Sequence, residues 1–292
     1  MHGIRLSLVL APLALACAGG DDGSGPANGS DDTPPVGTAT GGSTGGGGTG
    51  GGGTTGPAIS GFTAGGYLLD HLAIVAEHDT DGDGVIDNNL PLVLNLVNVV
   101  MGTSEYSVEA VNAIIADSLY PDNIMLVDAR NANNRLDLDL LLGLDDGSGL
   151  TVDPASYDGD GMSVNRLAGA FTDEIQFTAS ADAISLPVVL FDGIEPVPLI
   201  LEAVTLSGDL DADGLDTFLL GAIPVQAVID DMVEPLIPDE GVDIDGDGVP
   251  ESKEEVLDLV WSIAPAAGDV DLGGGLTGVS TLLEFRASSA EF

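Results

Sequence analysis

Apolar residues recur with different spacings along residues 59–292, and the change falls near Pro121. In TAGGYLLDHLAIVAEH, Thr63 to His78, Leu68, Leu72 and Val75 stand three and four apart, the repeat of one helical face, and a helix is predicted. PLVLNLVNVV opens on Pro91, which a first helical turn tolerates, and predicts a second helix. Ser104 is placed to cap a third that runs to about Leu119, with Val108, Val111 and Ile115 on one face. Past Pro121 the period falls to two. RLDLDLLLGLDD sets Leu136, Leu138, Leu140 and Leu142 against polar neighbours, and FTDEIQFTAS, ISLPVVLFDG and VPLILEAVTLSGDL read as short strands between turn residues. Pro187, Pro196 and Pro198 mark edge strands or strand starts. A short helix at Pro224 to Val233, a longer one at Glu251 to Ile263 and a closing strand in GVSTLLEFRA complete the pattern. Strands with one apolar face belong to antiparallel sheets. The expected fold class is α+β: a mainly helical N-terminal part, residues 59–120, packed on an antiparallel β-sandwich or curved sheet, residues 121–292.

Charge narrows the function classes. Of 292 residues, 48 are Asp or Glu and 6 are Lys or Arg, a formal charge of -42. Nucleic acid is not an expected partner, because phosphate contacts need a basic face. Such acidity suits solubility outside the cytoplasm, high salt or divalent cations. The plainest account of most of these carboxylates is a solvated surface.

The N-terminal residues, MHGIRLSLVLAPLALAC, have Arg5 ahead of an apolar run and end in small residues, the layout of a secretory signal over residues 1–16. The apolar run is shorter than the roughly 20 residues a membrane helix needs. LALAC, residues 13–17, resembles the lipobox of bacterial lipoproteins, although its leucine sits one place off the commonest spacing. That resemblance implies lipidation at Cys17 and a membrane partner through an N-terminal lipid anchor. With Ala18 after the cysteine, it points to the outer membrane of a cell envelope. An ordinary cleaved signal with an incidental cysteine is the alternative. Residues 17–58 then run through GGSTGGGGTGGGGTTG, which cannot build a core and reads as a disordered tether with a reach of about 35 Å. With Cys17 the single cysteine, a lipidated chain has no disulfide to hold its fold.

Candidate chemistry lies in the aspartate-rich loops. Calcium takes six to eight oxygens, and a 12-residue loop supplies them from positions 1, 3, 5, 7, 9 and 12 around a glycine at 6. DIDGDGVPESKE meets every requirement, with Asp243, Asp245, Asp247, Gly248, the Val249 carbonyl, Glu251 and Glu254 in order. The stretch resembles the EF-hand loop, and the resemblance implies a bidentate role for Glu254 and Ca2+ as the ion. No paired helix is expected before it, since EPLIPDEG intervenes. An acidic turn that merely caps the next helix is the competing reading. DTDGDGVIDNNL offers Asp79, Asp81, Asp83, the Val85 carbonyl and Asp87 but ends in Leu90, so it needs an acid or water from elsewhere. It places a calcium loop inside the helical N-terminal part. DLDADGLDTFLL, with Asp209, Asp211 and Asp213, resembles looser extracellular calcium repeats, and a hairpin or loop of turn-forming residues is the favoured reading. YDGDG, residues 157–161, reads as a turn.

Catalytic signatures are weak. GGSTG, residues 41–45, matches a nucleophile-elbow pattern, and the same tether matches G-x-G-x-x-G, but neither lies between a strand and a helix. His71 and His78 sit seven apart on the predicted first helix without a metal motif, and Trp261 is read as core. The sequence therefore points to a calcium-binding, membrane-anchored envelope lipoprotein, a structural or interaction module and not an enzyme. The alternatives are a carrier or receptor for an apolar ligand, suggested by the leucine-rich strands, and a secreted hydrolase.

Overall fold

Antiparallel strands dominate the computed structural model, which describes residues 60–76, 88–119, 121, 123–191 and 197–292. They are β1 (Ala64–Ile74), β2 (Met125–Ala132), β3 (Arg135–Asp145), β4 (Leu150–Val152), β5 (Arg166–Phe171), β6 (Gln176–Val188), β7 (Val197–Leu210), β8 (Gly214–Pro224), β9 (Val270–Gly273) and β10 (Leu276–Ser289). Neighbours follow the order β1-β2-β3-β5-β6-β7-β8-β10, and β10 pairs back to β1. The result is a closed, eight-stranded up-and-down barrel, with β4 and β9 as short additions on β3 and β10. The expected α+β arrangement, a helical N-terminal part on an antiparallel β-sandwich or curved sheet, is corrected by this closure. A period of two says that one face is buried, but it does not say whether that face meets a second sheet or its own far wall.

The first predicted helix is also corrected: its residues form β1. Tyr67, Leu69, Leu72 and Ile74 are its buried side chains, and the register against β10 slips between Leu69 and His71. That bulge separates the buried positions by two, three and two, so the apolar spacing imitates a helix. Residues 59–120 thus contribute a barrel strand as well as α1 (Leu90–Met101) and α2 (Val108–Ser118). Ser107, not Ser104, caps α2 by accepting from the Ala110 N–H. FTDEIQFTAS and ISLPVVLFDG do not form separate strands, because β6 runs through both. A third helical segment starts as α3 (Val225–Ala227), continues as a π-helix over Val228–Val233 and ends in a 3-10 turn at Glu234–Leu236. α4 (Lys253–Ile263) follows the EF-hand-like loop.

Strand alternation puts both helical insertions at one end of the barrel. The β1–β2 and β8–β10 connections fall there, while the other end carries the tight β2–β3, β5–β6 and β7–β8 turns. Leu138, Leu167, Leu206, Leu219 and Phe285 fill the interior, and Leu94, Ile115, Ile229 and Val260 from the helices belong to the same continuous core. The helices therefore plug one mouth. At the opposite mouth, Phe62, Phe171 and Phe177 form an aromatic chain with ring centroids 5.9 and 6.2 Å apart. Tyr67 donates its hydroxyl to the Asp211 carbonyl at 2.6 Å, and burial together with Asp211 pushes its pKa up to about 12. Outward positions such as Asp128, Asp137, Glu202, Asp216 and Glu284 are charged, the reverse of the apolar band on a membrane-spanning barrel. Among the described residues no helix is long and apolar enough to cross a membrane.

Helix α2 completes the wall where a strand runs out. Pairing of β1 with β2 ends at Leu68 and Leu126, leaving the upper part of β1 without that neighbour. There Asn112 accepts from the Ile74 N–H at 2.7 Å and donates to the Ile74 carbonyl at 2.9 Å. Asn112→Ala would strand two buried backbone groups. The expected cost is about 2 to 4 kcal/mol, read as a lower urea midpoint at unchanged m-value.

Candidate metal-binding loop

The loop between the π-helix and α4 is shaped by its own backbone. Val242 and Glu251 exchange two backbone hydrogen bonds, at 3.1 and 3.0 Å, and clasp its base. Gly241, just before the clasp, sits at φ +83°, where a Cβ would run into the Glu251 carbonyl. Inside the clasp, Asp243 accepts from the Gly246 N–H at 2.8 Å through one oxygen and from the Gly248 N–H at 2.9 Å through the other. Asp245 accepts from Asp247 N at 3.0 Å, and Asp247 accepts from Val249 N at 2.8 Å. Gly246 and Gly248 have φ of +76° and +89°, a backbone that β-carbons oppose.

This folding brings carboxylate oxygens of Asp243, Asp245 and Asp247 within 4.8 Å of one another on an exposed surface. Three anionic oxygens at that separation repel each other, and an oxygen-only donor set suits a hard cation such as Ca2+. Glu251 and Glu254 are not among the clustered acids. Glu251 turns its carboxylate back to accept from the Ile244 N–H at 2.7 Å. Glu254 lies in the first turn of α4, whose capping box uses Ser252 and Glu255. The hydrogen bonds that Glu255 accepts from the Ser252 N–H and hydroxyl hold its carboxyl below the ordinary range. Val249 is 64% exposed at the loop's outer side. The chain before the loop arrives through the 3-10 turn and Pro238, and the Lys253 ammonium reaches Glu234 at 3.7 Å to tie the two sides together.

Elsewhere the candidates separate. Asp79, Asp81, Asp83, Val85 and Asp87 lie outside the described residues, as do Cys17 and His78. Asp211 accepts from Asp213 N and Gly214 N, at 2.8 and 3.1 Å, in the tight β7–β8 turn, while Asp209 pairs with Asp216 in the ladder. At residues 157–161, Asp158 organises a turn by accepting from Asp160 N and Met162 N. Trp261, expected in the core, is 39% exposed on α4. His71 points outward from β1 and meets Glu284 at 3.2 Å.

The sequence reading did not pick out the pairing of the basic groups. Arg130, Asp128, Asp137, Asp139 and Arg166 occupy adjacent outer positions of β2, β3 and β5. Asp139 is 4% exposed, and both Arg130 and Arg166 form ion pairs with it. Burial pushes its carboxyl up, with Arg166 and Arg130 pulling the other way. Arg135 pairs with Asp137, and Arg286 with Asp216 and Glu284. Every described Lys or Arg thus has a carboxylate partner, which leaves no basic face among these residues. The two-residue NN turn was the available signal, since it sets Arg130 opposite Asp137.

No known protein family, curated protein or solved structure matches this chain.

Proposed function

We propose that the protein is a calcium-braced, lipid-anchored module of the bacterial cell envelope, probing or holding a partner through its surface and performing no catalysis. The observation that carries the calcium part is the convergence of Asp243, Asp245 and Asp247 in a loop whose base is already clasped. Asp243, Asp245 and Asp247 would hold the ion, which would relieve their repulsion and lock the loop ahead of α4. Glu251 accepts from the Ile244 N–H through one carboxylate oxygen, which leaves the other to join. The anchor part rests on the lipobox-like residues ending at Cys17 and the tether after them, and outer-membrane placement rests on the same stretch. A carrier for apolar ligands has less support, because the barrel's inward side chains belong to one continuous buried cluster.

Calcium modules outside cells bind at about 10⁻⁴ to 10⁻³ M. At about 10 mM ion and a Kd near 10⁻⁴ M, linkage adds roughly 2.7 kcal/mol to stability. For a folded unit of this size that is a melting-temperature rise of about 5 to 10 °C over chelator-treated protein. A melting curve unmoved by chelator would remove calcium from the proposal.

A further inference from the structure

The barrel wall is not uniformly laced. β5 pairs with β3 only as far as Asp139 opposite Arg166, and with β6 only from Phe177 to Ser180. Above it β3 and β6 run on, and no strand pairing joins them. Pro187 of β6 stands opposite Pro198 of β7. Neither has an N–H, so this is a non-bonded position in the ladder, and alternation turns the N–H and C=O of Ser185 away from β7. Asn165 meets them there, accepting from Ser185 N and donating to Ser185 O, each at 2.8 Å. The backbone carbonyl of Asn165 accepts from the Leu140 N–H at 2.9 Å. A void of about 10 Å³ lies in this gap, lined by inward Leu140, Leu186 and Phe285 and outward Leu141.

We propose that the barrel opens locally along this seam between β3 and β6, with Asn165 as its latch. One residue carries the hydrogen bonds to both sides, through its side chain to β6 and its backbone to β3. Below the seam each strand is held by a continuous ladder. Partial openings follow such lines of sparse backbone bonding.

Amide hydrogen exchange on the full chain tests this. In the wild type, Leu140 and Ser185 should exchange at matching rates, at least tenfold faster than Leu136 and Leu138, whose N–H groups share Leu140's side of β3. Asn165→Ala removes the contacts to Ser185 but keeps the carbonyl that receives Leu140. The seam requires Leu140 to accelerate tenfold or more alongside Ser185, with Leu136 and Leu138 unchanged. Acceleration of Ser185 alone would overturn the proposal, as would a wild-type Leu140 as slow as Leu138. If the variant fails to fold, the wild-type comparison decides.

Discussion

Replacing Asp243 by alanine should lower calcium affinity at least about 100-fold, the equivalent of roughly 2.7 kcal/mol. Two losses combine. Asp243 is one of the converging carboxylates, and its oxygens also receive the Gly246 and Gly248 N–H groups that wrap the loop into shape. Hydrogen bonds to a charged acceptor contribute about 1.5 to 3 kcal/mol each, so the loop's geometry should fail along with its charge. Asp243→Asn should fall between, since the amide retains one accepting oxygen. Asp211→Ala is the informative control. Its carboxylate makes the same kind of turn contacts, to Asp213 and Gly214, but among the described residues it belongs to no cluster of converging acids. Calorimetric calcium titration of the three variants should show binding lost, weakened and unchanged.

Gly169→Val should prevent the barrel from closing. A β-carbon at Gly169 would stand 2.5 Å from Ala179 Cα and nearer still to the Thr178 carbonyl, in the one short strand that bridges β3 and β6. Backbone cannot yield there without parting β5 from β6. Overpacking of a yielding core costs about 1 to 3 kcal/mol, and a backbone clash exceeds that range. Against a usual domain stability of about 5 to 15 kcal/mol, the expected outcome is a fall in melting temperature of about 10 °C or more, or insoluble protein. Gly159, with open space around it, supplies the comparison: Gly159→Ala should lie within about 0.5 kcal/mol of wild type.

These two residues also mark what was legible. The convergence of Asp243, Asp245 and Asp247 could be read because these acids are local in sequence. The loop spacing also places Glu251 and Glu254 as ligands, but it does not show that Glu251 accepts from the Ile244 N–H or that Glu254 lies in a helical first turn whose capping box uses Glu255. Alternating leucines made β3 readable, and the proline rule held in part: Pro198 is the second residue of β7, Pro187 lies near the end of β6 in a closed barrel, and Pro196 lies outside the described residues. Pro198 also precedes the β7–β8 pairing, which begins at Glu202. Closure was not readable, since it depends on β1 meeting β10 across nearly the whole folded chain, and a bulge disguises β1 as a helix. Asn112 and Asn165 carry no sequence signal at all. An asparagine that replaces a missing strand looks like any loop asparagine until the strand ends are known.

The proposed function turns on whether this acidic loop holds calcium. Equilibrium dialysis of the wild-type chain against about 1 mM Ca2+ at moderate ionic strength measures this without relying on stability. About 0.5 to 0.9 of an ion per chain should be retained at this loop, and most of it lost in Asp243→Ala. No retained ion in the wild type, or equal retention in the variant, would contradict it.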